Sequence, residues 1–357
     1  MVRNGLSALA LAGLAVGVAA CSSTMNSRDI LGQPETSAAA LETPRSARDG
    51  GAAARSSNQQ TQVAAAETGL SPSAEKPTTP DPARFGGSSS TAAKKQDGCL
   101  DIASIRERDI ARNRSALARM NACIKLAKFT EGGLPWQIYT ITGPKKRGPL
   151  WAVPHDNEDV AFDTGVYALA QYGGVMVVTE AGEQRSLRGQ DANRNFNKSV
   201  AIARKCRLQK APAPRYTDAY IKPLQSGQPI IALHSNANGY SGNGGSGTIS
   251  IRRKSSIMRA FASRRAKGAL ADEDNILLVA ARRPVESDRR LRKLVNDFNN
   301  KGVHVIAELV TPGKNDCSLS NYVVLNGIAK YYNIEVQDGK GSVQRDLLRK
   351  LMAYGPR

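Results

Sequence analysis

Ile230-Ile231-Ala232-Leu233-His234-Ser235-Asn236 carries the plainest mark of the architecture. Four consecutive apolar residues with no polar alternation suit a short strand covered on both faces. A histidine stands where that strand ends. Upstream, Leu150-Trp151-Ala152-Val153-Pro154 repeats the pattern and again meets a histidine, His155. Between these two stretches, residues 159–172 show helical periodicity (Val160, Val166, Leu169) and Val175 to Thr179 reads as a buried strand. Gln137 to Thr142 alternates like a strand. Downstream, a glycine-rich loop spans Gly239 to Gly247. A strand at Ile276–Ala280 and a basic amphipathic helix at Val285–Asn300 follow, then a strand at Val303–Val310. A helix at Tyr322–Tyr331, a strand at Asn333–Val336 and a closing helix at Ser342–Ala353 complete the pattern. Strands alternating with helices predict an α/β fold, a mostly parallel or mixed central sheet flanked by helices.

The 357 residues divide unevenly in charge. Of 50 basic and 31 acidic residues, 9 and 8 fall in residues 1–98, so the excess sits in residues 99–357. No charge-free apolar run of membrane-spanning length follows residue 21, which argues against a polytopic membrane protein. Arg3 followed by the apolar stretch Leu6 to Ala20 reads as a secretory signal, residues 1–20. It closes on Val18-Ala19-Ala20-Cys21, which resembles a bacterial lipobox. The resemblance implies cleavage before Cys21, acylation of Cys21 and, with Ser22 following, an outer-membrane lipoprotein facing the periplasm. Several acyl chains, at about 0.8 kcal/mol per buried methylene, make a firm anchor. Residues 21–98 are rich in Ala, Ser, Thr, Gly and Pro and hold few large apolar groups. They predict a disordered linker, because little surface is available to offset the entropy of ordering. A single α/β domain is expected over 99–357.

Four cysteines remain after Cys21: Cys99, Cys123, Cys206 and Cys317. An even number in an oxidising compartment is consistent with two disulfides, or with four buried thiols. Residues 101–128 hold no Gly or Pro, and Leu117, Met120, Ile124 and Ala127 recur at helical spacing, which predicts an N-terminal helix over 101–128. One unbroken helix would hold Cys99 and Cys123 about 36 Å apart, beyond disulfide reach, and direct each to Cys206 or Cys317. A break near Asn113 would reverse that expectation.

The chain has three histidines, and two stand at strand ends, where open α/β sheets bind ligands. Glu158 follows His155 by three residues. On a turn entering a helix this spacing lets an imidazole and a carboxylate converge on one ion. With the distant His234 they would form a His, Glu, His set, which leaves a catalytic zinc one open position.

Four segments occur in one order: His155-Asp156-Asn157-Glu158, Asp191-Ala192-Asn193-Arg194-Asn195-Phe196, Ala232-Leu233-His234-Ser235-Asn236 and Asn333-Ile334-Glu335-Val336. Together they resemble the signature blocks of the zinc carboxypeptidase superfamily, with its aspartoacylase/succinylglutamate desuccinylase and murein-peptide hydrolase branches. The likeness spans residues 132–357, and Asp156 stands where the family pattern usually has glycine. The resemblance implies Zn2+ held by His155, Glu158 and His234, and Glu335 as the base that takes a proton from the attacking water. It implies that Arg194, with Asn193, grips a substrate carboxylate. It also implies an oxyanion arginine, for which Arg185 and Arg188 are both candidates. Tyr322 is a candidate for the pocket lining or, equally, a core aromatic.

The glycine-rich loop lacks the Lys-Ser/Thr of a phosphate loop and is expected to be a rim beside His234. Arg282, Arg283, Arg289, Arg290, Arg292 and Lys293 gather on or beside one helix. Such charge favours anionic partners. Compartment and 5% aromatic content argue against nucleic acid. The expected function is a zinc-dependent hydrolase of amide bonds near a free carboxylate, a peptidoglycan-peptide carboxypeptidase or amidase. The alternatives are an N-acyl amino acid deacylase and a non-catalytic, basic, wall-binding lipoprotein.

Overall fold

The structure, a computed structural model, describes residues 98–206, 211–236, 249–253 and 255–356. The signal peptide, Cys21, almost all of the linker and the loop Gly239–Gly247 lie outside the described residues. The described chain begins with two short helices, α1 (Arg108–Arg112) and α2 (Arg114–Arg119), followed by β1 (Cys123–Glu131) and β2 (Leu134–Thr142). Then come β3 (Leu150–Val153), α3 (Asp159–Tyr172), β4 (Val175–Glu180) and a small hairpin of β5 (Ser186–Leu187) and β6 (Gln190–Asp191). Next are α4 (Val200–Ala203), α5 (Pro214–Ile221), β7 (Ile230–Asn236), β8 (Met258–Phe261) and β9 (Ile276–Ala281). The last elements are α6 (Arg289–Asn300), β10 (His304–Leu309), α7 (Leu319–Leu325), β11 (Tyr331–Gln337) and α8 (Gly341–Tyr354).

Nine strands form one mixed sheet in the order β1-β2-β4-β3-β7-β11-β9-β10-β8, flanked by helices as expected. The middle run β4-β3-β7-β11 is parallel; β9 turns antiparallel to β11, and β10 runs parallel to β9. Each all-apolar strand feeds two cores by alternation. Ile231 and Leu233 point to one face, packed with Phe162 and Leu169 of α3, Leu294 of α6 and Leu347 of α8. Ile230 and Ala232 point to the other, with Tyr216 and Tyr220 of α5 and Val323 of α7.

The sheet order places the candidate site. From β3 the chain passes through α3 to β4 on one side, while β7 flanks β3 on the other. Pairing of β3 with β7 extends only to Ala152 and Ala232, after which the strand ends part. A crevice at the carboxyl ends of strands, where connections leave in opposite directions, is the ligand position of open α/β sheets.

The expected helix over 101–128 is corrected. A 3-10 turn, α1 and α2 occupy its first part; the two helices meet at Asn113, and α2 ends at Met120. Asn121 then takes a left-handed backbone (φ 49°), which asparagine tolerates better than most residues. From Cys123 the chain is a strand, with nine residues in register against β2. The helical spacing of Leu117, Met120, Ile124 and Ala127 crosses this boundary, and the alternation of buried Ile124, exposed Lys125 and half-buried Leu126 is the signal that wins. The return of the chain brings Cys99 and Cys123 to a Cα separation of 5.2 Å, and they are bonded; Cys206 pairs with Cys317 at 5.6 Å. The exclusion of the 99–123 pair is thereby overturned. Two helix boundaries also move. Asp288 caps α6 by accepting from the amides of Arg290 and Leu291, so that helix starts at Arg289. Ser318 caps α7, which ends at Leu325, and Tyr331 already belongs to β11.

Candidate metal centre

His155 stands two residues beyond β3, and Glu158 is the N-cap residue of α3. The Glu158 side chain does not cap its own helix. Instead it turns to the histidines: Oε1 lies 2.7 Å from His155 Nδ1 and Oε2 lies 2.9 Å from His234 Nδ1. The two Nδ1 atoms are 3.2 Å apart. All three side chains are buried. The Ser235 amide donates to Glu158 Oε2 at 3.2 Å, so β7 holds the carboxylate as well as supplying a ligand.

His155 Nε2 lies 2.9 Å from Asp191 Oδ1, and a carboxylate there calls for a proton on Nε2. Nδ1 then presents a lone pair to a carboxylate oxygen and to a second imidazole. Three electron-pair donors meeting in a buried space are stable only around a proton or a cation. Burial would lift the Glu158 carboxyl, yet the two facing imidazoles hold it far below the carboxylate range. Burial alone would depress His155, but Glu158 and Asp191 raise it. Nitrogen, nitrogen and oxygen donors are a zinc-compatible set. Ligands about 2.0–2.2 Å from one ion would stand roughly 3.3 Å apart, so the cluster fits after opening by a few tenths of an ångström.

Glu335 lies beside His234, its register partner in β11, on the same face of the sheet. Asn333, one pleat earlier on that face, donates from Nδ2 to Glu335 Oε1 at 2.8 Å. Burial lifts the Glu335 carboxyl above its usual range against the pull of His234. The Arg185 guanidinium donates to Glu158 Oε1 at 3.1 Å and stands 3.5 Å from Asp191 Oδ2.

The sequence matches no protein-family model and no curated protein. Solved structures similar to this one include an aspartoacylase family protein from Mesorhizobium loti, at 15% identity and a TM-score of 0.36, covering 66% of this chain and 67% of that one. Another is the LapA aminopeptidase of Legionella pneumophila, at 9% identity and a TM-score of 0.31, covering 68% and 61%. A third, from Shewanella denitrificans and provisionally assigned as a carboxypeptidase A, has 9% identity and a TM-score of 0.30, covering 65% and 61%. The chain thus spans about three fifths to two thirds of these neighbours.

Of the two candidate arginines, Arg185 is the one against the donor cluster. Arg188 sits at the turn of the β5–β6 hairpin with φ 49° and lines a separate groove with Trp136 and Asn195. Arg194 faces Asp316, with Nε 3.3 Å from Oδ2, and donates to the Asn193 carbonyl at 2.8 Å. Asn193 accepts from the Leu319 amide at 3.0 Å, which ties the Asn193-Arg194 turn to α7. Tyr322 packs against the second core, with Lys198 and Asp218 as its charged neighbours, and its described contacts do not reach the donor cluster. Asp156, in the glycine's place, accepts from the amides of Ala181 (2.8 Å) and Glu183 (2.7 Å), and so fastens the loop that carries Arg185.

Three groups with a part in the site carried no role in the sequence reading. Asp191 was visible as part of a motif, but nothing in spacing shows that it faces His155. Asn333 shares a pleat face with Glu335, a relation visible only once the strand is known. Gln344 of α8, fully buried, donates to the His234 carbonyl at 2.8 Å; 110 residues of intervening chain leave no local signal of it.

Proposed function

We propose that this protein is a zinc-dependent hydrolase of amide bonds next to a free carboxylate, acting on peptidoglycan peptides from a lipid anchor at Cys21 on the periplasmic side of the outer membrane. The supporting observation is the meeting of His155 Nδ1, His234 Nδ1 and Glu158 within 3.2 Å, with Glu335 one strand away. When bound by these three side chains, zinc supplies a Lewis acid for the scissile carbonyl and lowers the pKa of water.

The chain's own groups do the remaining work. Glu335, lifted by burial and steered by Asn333, accepts a proton from the attacking water and returns it to the leaving amine. Asp191 fixes the ring and tautomer of His155. Arg185 adds positive potential where the carbonyl oxygen gains charge. Arg194 offers a planar fork to the substrate carboxylate, with Asp316 holding it until substrate arrives. Peptide stems of the wall are abundant carboxylate-bearing substrates within reach of a linker of ~77 residues, whose r.m.s. span is roughly 45–50 Å.

Purified sacculi, soluble muropeptides and N-acyl amino acids are digested with the protein, with and without chelator, and the products are identified by mass spectrometry. Chelator-sensitive release of wall peptides is expected. Glu335→Gln should keep stoichiometric zinc and lose about 10²–10⁴-fold in kcat. Wild-type turnover by that variant would overturn the mechanism, and release from N-acyl amino acids alone would overturn the substrate.

A further inference from the structure

The sheet ends at β8, an edge strand four positions from β7 and hence about 19 Å from the donor cluster. Its pairing with β10 determines which backbone groups face outward. The Leu309 amide donates to the Ile257 carbonyl at 2.7 Å, and the register sets Met258 against Glu308 and Arg259 against Ala307. Hydrogen-bonded pairs alternate along an antiparallel ladder. Ile257 gives its carbonyl to β10 but its amide to Ser255 Oγ at 3.2 Å, Arg259 turns its backbone groups to β10, and Met258 and Ala260 turn theirs away from it. Ser255 Oγ takes the Met258 amide at 3.2 Å. Among the described residues the Met258 carbonyl and both polar groups of Ala260 have no strand partner, which leaves them for a further strand.

A groove of about 610 Å3 lies against β8 and reaches across the end of β10 to the turn that follows β9. Arg252, Arg253, Arg259 and Arg283 line it, all exposed, with Glu286 as the exposed carboxylate among them; Glu308 also borders it, but its carboxyl is buried against Asn321. Arg252 pairs with Glu273 and Arg259 with Glu286; Arg283 makes no ion pair among the described residues. Ile257, Met258 and Leu309 give the groove an apolar floor, and Val285, in the turn that precedes α6, closes it. Arg292 of α6 donates to the Glu286 carbonyl at 2.9 Å, so the basic outer face of that helix continues from the groove. Among the described residues no aromatic side chain lines it, so none of them offers the stacking platform that single-stranded nucleic acid uses.

We propose that the outer edge of β8 and its arginine-lined groove form a docking site for an extended acidic peptide, which adds to the sheet as a further strand. Main-chain hydrogen bonds to Met258 and Ala260 supply affinity that is indifferent to sequence, and the guanidiniums select carboxylates through bidentate contacts. The edge lies four strands from the donor cluster and would hold the peptide without covering it.

The test uses the full chain and a fluorescent octapeptide of alternating Glu and Ala, read by anisotropy. Binding is expected, weakened by salt. A Lys-for-Glu peptide, and an acidic peptide N-methylated on alternate amides, should each bind at least tenfold more weakly. Arg283→Glu should cost the same factor, and the milder Arg283→Gln and Arg252→Gln a smaller one. Hydrolysis of a soluble substrate should be unchanged in all three. Equal binding of the N-methylated peptide would reduce the site to a charged surface and overturn the proposal. So would an Arg283-dependent preference for phosphatidylglycerol vesicles or poly-U over the peptide, or no binding of the peptide at all.

Discussion

His155 is held at both ends of its ring: Nδ1 in the donor cluster, Nε2 on Asp191. The second contact has a measurable consequence. A neutral amide at position 191 can still accept, but it no longer balances charge on the ring or enforces the tautomer. Asp191→Asn should weaken zinc binding by about 10–100-fold with little change in fold. Competition against a chelating dye reads this directly; unchanged affinity would reduce Asp191 to the cap of its own turn, where it also accepts from the Asn193 amide at 2.7 Å. The same residue shows how far the site was legible. His155, Glu158 and His234 were marked by residue type and position, towards strand ends and at the entry to a helix, whereas Glu335, inside β11, was marked only through the likeness of its segment to a family signature. Asp191, Asn333 and Gln344 act through the fold, by facing another side chain or carbonyl, and nothing in local spacing reveals a facing group. Arg185 and Arg188 were indistinguishable for the same reason: three residues of a hairpin separate an arginine on the cluster from one on another groove.

At the level of elements, the strands covered on both faces were legible because four apolar residues in a row have few other uses. The N-terminal segment was not. Its apolar residues satisfy a helical period across a boundary that only Asn121 and the pairing with β2 reveal. The bonded Cys99 and Cys123 close a loop across that boundary, with a sequence separation of 24. In the chain-entropy view such a loop is worth about 3 kcal/mol. Cys99→Ser with Cys123→Ser should lower stability by about that amount in urea titration, while zinc binding persists, since neither cysteine contacts the donor cluster. A loss of zinc at unchanged stability would contradict this division. The turn from α3 into β4 is a harder constraint. Gly174 has φ +93°, and a Cβ there would overlap the Pro149 carbonyl oxygen, which accepts from the Val175 amide at 3.2 Å. Gly174→Ala combines backbone strain with a clash against main chain and should cost about 3 kcal/mol or more. Because α3 carries Glu158 at its other end, that variant should lose fold and zinc together in circular dichroism and metal titration.

For the whole molecule, the buried carboxyls set the response to pH. Burial pushes Asp109 up to about 8, despite Arg112, and pushes Glu308 up to about 7, despite Asn321 donating to it at 2.9 Å. An acid whose pKa is higher folded than unfolded binds more protons in the native state. Its contribution to stability is complete below about pH 4 and is lost as pH rises through the folded value. Glu158 and Asp191, held low by their histidine and arginine neighbours, act in the opposite sense, losing their contribution as pH falls below about 4. The two trends cross in mildly acidic solution. In chelator, the urea midpoint should therefore be highest near pH 5 and fall towards pH 8, opposite to a protein whose carboxylates are all salt-bridged. Glu308→Gln isolates one group: glutamine keeps an oxygen for Asn321 but has no proton to lose. The variant should match the wild type near pH 5 and exceed it at pH 8 by up to about 3 kcal/mol, because each tenfold gain in proton affinity on folding is worth about 1.4 kcal/mol. Parallel profiles for the two proteins would mean that Glu308 stays ionised in the fold. A wild-type midpoint rising from pH 5 to pH 8 would mean that the buried acids are not what governs stability here. Added zinc is expected to reverse the slope, because the proposed ligands bind it only when the histidines have given up their protons.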